Sequence, residues 1–253
     1  MTIFALKLIA IITMLIDHTG AVLLSPDTQL YWMARTIGRI AFPIFVFMLV
    51  EGFHHTSNIR KYLTRMGIFA LISEIPFDIA FYNSISGRDF LYDFKASFSS
   101  PTVLNVFLKN LLSHQNVFFT LFLGLLAIYC MSMIENRFKK DILLSNLFDA
   151  LVTIGFCAAA VLLRTDYDMK GILLIVAFYL FRGSKIITTV CLIIIIGTFF
   201  PSTKDNLNIQ TFSLLAMVPI VFYKGKKGKN IKYFFYIFYP AHLLILWLIS
   251  VFI

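Results

Sequence analysis

The chain has 253 residues, of which 59% are hydrophobic and only 14% charged, with a formal net charge of +9. A soluble domain carries nearer a quarter charged residues, so this composition excludes a soluble enzyme with a single anchor. It predicts an integral membrane protein forming one helical domain over 1–253.

Apolar runs on the scale of a crossing helix, about 20 residues, are predicted near 4–24, 33–54, 62–82, 117–134, 143–163, 171–182, 186–200, 208–223 and 232–252. The expected fold is all-α, a polytopic transmembrane bundle of about nine spans, within a range of roughly eight to ten. The first run carries one basic residue near its start, Lys7, and lacks a small-residue cleavage site, so it reads as a retained helix and not a signal peptide. The segment 83–116 is the one long piece that does not span. Its mixture of Ser, Asp, Phe and Leu predicts an extracytoplasmic ordered loop or interfacial helix. The three cysteines, Cys130, Cys157 and Cys191, lie within apolar runs without CxxC spacing and read as packing residues.

Orientation follows from the basic residues in alternate loops. One side carries Lys7, Arg60, Lys61, Arg65, Arg137, Lys139, Lys140, Arg182, Lys185, Lys224, Lys226, Lys227, Lys229 and Lys232, fourteen of the 22. The other carries Arg35, Arg39, Arg88, Lys95, Lys109, Arg164, Lys170 and Lys204. The richer side is expected to be cytoplasmic, which puts the N-terminus inside and the C-terminus outside a bacterial inner membrane. Basic residues spread over short loops are a topology pattern, so nucleic acid is not an expected partner. Membrane lipids are, and the GKKGK run (225–229) can attract anionic headgroups.

Ionisable groups inside the spans are costly and mark function by default. At 1.5 Å per helical residue, His18 sits roughly 20 Å above the cytoplasmic boundary, and Arg39 descends to about the same level. Glu74 and Asp78, one turn apart, share a face of the third span near mid-depth, and His242 falls near mid-membrane. Asp17 with Arg39 reads as a buried ion pair, either a lock between two helices or part of a site. Adjacent helical residues point about 100° apart, so Asp17 cannot orient the His18 ring; Glu74 or Asp78 is the expected partner. A neutral histidine so held can take a proton from an amine or hydroxyl. Asp166 and Asp168 read as solvated turn residues at a helix end, with the Tyr167 phenol able to reach inward.

A second layer lies near the cytoplasmic face: Lys7, Glu51, His54, His55, Arg60, Lys61 and Arg65. These residues are either snorkelling helix ends or a phosphate-binding mouth for a long polyanionic acyl donor. His54 and His55 also fit plain interface residues. Metal spacing, a serine elbow and glycine-rich phosphate loops give no signal.

LKLIAIITMLIDHTG, IGRIAFPIFVFMLVEGFHHT, KYLTRMGIFALISEIPFDIAFYN and FYIFYPAHLLIL, with HQNVFFTLFLGLL (114–126) and TDYDMKGILLI (165–175), resemble the TraX family. That family is named for a membrane protein implicated in N-terminal acetylation of F-pilin. It is in turn similar to a wider group of integral-membrane acyltransferases, which includes heparan-glucosaminide acetyltransferase relatives and the acyltransferase-3 branch. Members of that branch carry an arginine, ten residues and a histidine in the first helix; here Lys7 and His18 have the spacing, with Lys in place of Arg. Tyr239, Pro240 and His242 look like a further family feature. The resemblance implies that His18 is the catalytic histidine and the basic layer a coenzyme A mouth.

The expectation is therefore an acyltransferase, most simply an acetyltransferase, moving an acyl group from cytoplasmic acetyl-CoA to an amine or hydroxyl of a peptide, glycan or lipid acceptor. His18 would act as base with Glu74 or Asp78. Arg39, His242, Asp17 and Tyr167 would meet the substrate, and Lys7, Glu51, His54, His55 and Arg65 the donor, with no metal. The rivals are a proton-coupled transporter or flippase and a non-catalytic assembly factor.

Overall fold

The computed structural model describes all residues other than Leu112, 203–207, Lys227, 230–231 and Ile253, and only the backbone of Lys232 and Tyr233. Lys204 and Lys227 of the charge count, with the Lys232 side chain, thus lie outside the described residues. The helices are α1 (Ile3–Leu23), α2 (Gln29–Gly38), α3 (Ala41–His55), α4 (Ile59–Ser86), α5 (Phe90–Ala96), α6 (Pro101–Leu111), α7 (Val117–Arg137), α8 (Ile142–Leu162), α9 (Asp168–Leu180) and α10 (Lys185–Phe199). A 3-10 turn (Ile209–Ala216) then runs into α11 (Met217–Val221), and α12 (Lys232–Phe252) ends the chain.

Each predicted run is helical. Six segments are long and apolar enough to cross a membrane: Ile3–Leu23, Gln29–His55, Ile59–Ser86, Val117–Arg137, Ile142–Leu162 and Phe234–Phe252. The protein is a helical membrane bundle. Between α8 and α12 the helical pieces are shorter, 13 residues in α9 and 15 in α10, against roughly 20 for a full crossing.

The helix starts are written into the sequence as side-chain acceptors. Thr2, Thr28, Asn58, Asp141 and Ser184 each accept from the backbone N–H three residues on, satisfying donors that a helix cannot pair internally. The 83–116 segment is ordered and mostly helical. Gly87 (φ 68°) closes α4 in the left-handed region, where a glycine avoids the Cβ penalty. Beyond it α5 and α6 pack on α4, held by Tyr82 Oη donating to Asp93 (2.8 Å).

The loops gather at two ends. At one, the Ile3 amide donates to the Lys226 carbonyl (2.9 Å) and the amino terminus to the Phe222 carbonyl. At the other, the Gln115 amide donates to the Arg164 carbonyl (3.0 Å). Between them α1, α3, α4, α7, α9 and α12 form the core, with Leu6, Ile44, Leu125, Ile172 and Leu243 fully enclosed. By contrast α8 turns Leu143, Leu147, Leu151 and Ile154 outward, as a lipid-facing helix would.

The single run predicted over 33–54 is broken at Arg39 and Ile40, whose amides bond three residues back, the tighter 3-10 pattern. The break lets α2 lie close on α1. A Cβ on Gly20 would stand 2.6 Å from Ala34 Cβ, and one on Gly38 would stand 2.2 Å from Asp17 Cβ. Small residues at a crossing let backbones approach, and here they bring Asp17 within reach of both arginines of α2 and its end.

Candidate active site

Asp17 is enclosed by cations. Arg39 Nη2 lies 2.7 Å from both of its carboxylate oxygens, and Arg35 Nη1 lies 2.9 Å from one. Arg39 also donates from Nε to the Arg35 carbonyl (3.1 Å). The expected Asp17–Arg39 pair is present, and Arg35 adds to it. In the sequence Arg35 reads only as a topology residue, although a spacing of four puts it on the Arg39 face. Two guanidiniums therefore converge on this one carboxylate, with Asp166 lining the same cavity.

His18, one residue on, faces elsewhere. Its Nδ1 lies 2.7 Å from His242 Nε2, and His242 Nδ1 lies 2.8 Å from the Phe238 carbonyl oxygen. Phe81 and Tyr239 meet the His18 ring edge-on. The expectation that Glu74 or Asp78 orients this ring is corrected. Glu74 Oε2 instead accepts from the Asn116 amide (3.1 Å) and from Asn116 Nδ2. Asn116 in turn caps α7 by accepting from the Phe118 amide (2.9 Å). A carboxylate beside the start of a helix also complements its dipole, so Glu74 ties α4 to the start of α7. Asp78 is buried, and its Oδ1 has no hydrogen-bond partner among the described residues.

Two cavities flank this machinery. One, about 230 Å³ and outer only by the orientation expected from the basic residues, is lined by His18, Asp17, Arg35, Arg39, Tyr167 and Asp166 among others. Tyr167 does reach inward: its ring stacks on Phe42 at 3.5 Å, with planes 4° apart. Arg164 and Asp168 on either side of the turn adopt positive φ, 52° and 44°, a strained state for non-glycine residues that turns the loop back over the cavity. Asp166 is exposed, as expected, and lies 3.6 Å from His114, a pair the sequence did not disclose. That contact raises the His114 pKa above its ordinary value, against the opposing effect of partial burial. His242 is 4% exposed and stands behind His18, outside this lining, so its expected role of touching substrate gives way to contact with the histidine.

The inner cavity, about 430 Å³, is lined by Lys7, Glu51, His55, Arg65 and Lys229, together with Tyr62, Phe118, Phe235 and Tyr236. Four of the five residues assigned to the donor therefore come together. His54 does not join them: its ring stacks on Tyr179 (5.6 Å) and meets Phe53 edge-on. Adjacent helical side chains diverge by about 100°, so only one of the two histidines can face the cavity. Arg65 spans the rings of Tyr62 (5.4 Å) and Tyr236 (5.3 Å), and its Nε has no hydrogen-bond partner among the described residues. Glu51 accepts from Arg182 Nε (2.6 Å), which offsets its negative charge. Met14, Phe45, Val117 and Tyr239 line both cavities, so the two chambers meet at these four side chains.

A family model described as "TraX protein" matches residues 3–250. A relative from Dichelobacter nodosus, described as "Probable fimbrial assembly protein FimC, serogroup H1", is 30% identical over 256 residues, covering 96% of this chain and 93% of the relative. No solved structure matches the chain.

Proposed function

Because the chain belongs to the TraX family, we propose that it is a membrane acyltransferase that takes an acyl group from acetyl-CoA in the inner chamber and passes it to an acceptor in the outer one. The observation that carries this reading is the pair of chambers meeting at Met14, Phe45, Val117 and Tyr239. One is aromatic and cationic; the other is polar and holds His18. Phosphates suit Lys7, Arg65 and Lys229, and the unpartnered Arg65 Nε offers a donor already desolvated. By the excess of Lys and Arg at its end of the bundle, this chamber opens to the cytoplasm.

At the neck, the acceptor nitrogen or oxygen attacks the thioester carbonyl while His18 Nε2 takes its proton. The Arg35–Arg39 pair supplies positive potential for the negative charge that develops on the carbonyl oxygen. The carbon–sulfur bond then breaks, and the proton passes from Nε2 to the departing thiolate. The relative's description as a fimbrial assembly protein favours a pilin-type subunit as acceptor.

Purified protein given acetyl-CoA labelled in the acetyl group and a pilin-type subunit should transfer label to the subunit. His18→Ala should lower the rate by about 10²–10⁴, the usual loss for a general base. Full activity in that variant removes the mechanism. A second reading, an assembly factor without chemistry, has one observation in its favour. Asp17 and Glu74 are engaged by Arg39, Arg35 and Asn116, as groups that only register helices would be. Failure of the wild-type protein to bind acetyl-CoA would decide for it.

A further inference from the structure

We infer that His242 is a positioning residue that fixes the proton on His18, so that His18 presents a bare Nε2 to the outer chamber. The inference rests on the acyltransferase reading for its catalytic meaning, but not for its geometry.

The chain of partners allows one arrangement when both rings are neutral. A carbonyl oxygen only accepts, so the contact of His242 Nδ1 with the Phe238 carbonyl (2.8 Å) requires the proton on Nδ1. A neutral imidazole carries one proton, which leaves His242 Nε2 as an acceptor. That atom lies 2.7 Å from His18 Nδ1, so His18 must donate from Nδ1, and its own Nε2 is left as a lone pair. The ring planes are 5° apart with centroids 5.0 Å apart, nearly twice the nitrogen separation, so the rings meet edge to edge and the bond lies in their planes. Reversing His18 would set two acceptor lone pairs against each other at this distance.

The local sequence explains why His242 is held so firmly. Its anchor is the carbonyl one turn back on its own helix, and it is buried, 4% exposed, on α12 against α1 and α4. In many hydrolases a carboxylate sets the tautomer of the catalytic histidine. Here a second histidine, itself set by a main-chain carbonyl, takes that position. When His18 gains a proton on Nε2, the Nδ1–H bond to His242 becomes charge-assisted and strengthens, so the same contact supports the intermediate state.

The experiment uses full-length protein labelled with nitrogen-15 histidine, and reads which ring nitrogen carries hydrogen from one-bond nitrogen–hydrogen couplings. The His18 signals are assigned by their loss in His18→Gln. Neutral His18 and His242 should both show hydrogen on Nδ1 and none on Nε2. Hydrogen on Nε2 of His18 overturns the inference. His242→Leu removes the acceptor and should shift His18 toward the other tautomer and lower transfer by up to about 10⁴, the scale of loss when a catalytic histidine is held in the wrong tautomer. His242→Gln keeps an acceptor at similar reach and should restore most of both signals. Unchanged transfer in His242→Leu, or equal damage in both variants, overturns the inference. If the leucine variant does not fold, the wild-type spectrum and the glutamine variant decide alone. Should the spectrum agree while the wild-type protein transfers no acyl group, the acyltransferase reading fails and the tautomer assignment stands.

Discussion

The two chambers solve the same electrostatic problem in opposite ways. Each has a carboxylate that is 7% exposed, Asp17 in the outer and Glu51 in the inner. Asp17 is paired with Arg39, itself 8% exposed, so this ion pair is largely withdrawn from solvent, while Arg35 beside it stays partly exposed. Glu51 is paired with Arg182, whose side chain is 37% exposed, so water shares the work. The contrast teaches that the outer chamber holds its carboxylate in an enclosed ion-pair cluster beside His18, while the inner one holds its carboxylate in a pair that reaches solvent.

Breaking the pairs in turn tests that contrast most severely. Asp17→Asn leaves a buried guanidinium uncompensated, which typically costs about 3–5 kcal/mol, and should lower the thermal midpoint sharply. Glu51→Gln frees a cation that already reaches solvent and should cost less than about 1 kcal/mol. Equal losses in the two variants would erase the distinction. Next in size is the neck. Met14→Trp, or Val117→Phe where the first folds poorly, should cut acyl transfer by about 10²-fold, the scale expected when reacting groups are misplaced by an ångström. Acetyl-CoA binding to the inner chamber should persist in the same variant. Loss of binding together with transfer would show that the chambers are not separate. Smaller again is Arg65→Met. It should weaken acetyl-CoA binding by about tenfold or somewhat more, since a hydrogen bond to a charged group contributes about 1.5–3 kcal/mol, with little change in the folded protein's thermal midpoint.

Much of this architecture was legible because it follows from short-range rules. Each predicted apolar run became a helix, and the caps at Thr2, Asn58 and Ser184 mark starts that composition alone leaves vague. Depth arithmetic placed Asp17 beside Arg39, since two antiparallel helices joined by a short turn bring equal depths together. What failed was the assignment of partners across distant helices. Glu74 and Asp78 have the right depth for His18, but rotation about the helix axis decides contact, and it turns Glu74 toward Asn116. His242 shared the same depth and proved to be the partner. His54 was separable from His55 by the 100° step between neighbours, an available signal. The His114–Asp166 pair joins two loops 52 positions apart, and nothing local announces it.

That loop pair gives the smallest effect and the finest test, because it joins two loops that both line the outer chamber. Asp166 raises the His114 pKa above its ordinary value of 6.5, with Asp168 and Glu74 acting in the same direction. A histidine whose pKa is higher folded than unfolded contributes stability that is complete below the unfolded value. The contribution disappears as pH rises through the folded value. The two side chains are 33% and 36% exposed, so solvent screening limits the effect to a few tenths of a kcal/mol, about 1 at most. The thermal midpoint of the wild-type protein should therefore exceed that of Asp166→Asn at pH 5.5, and the gap should close toward pH 9. A gap that widens with pH would mean that Asp166 acts chiefly on another group.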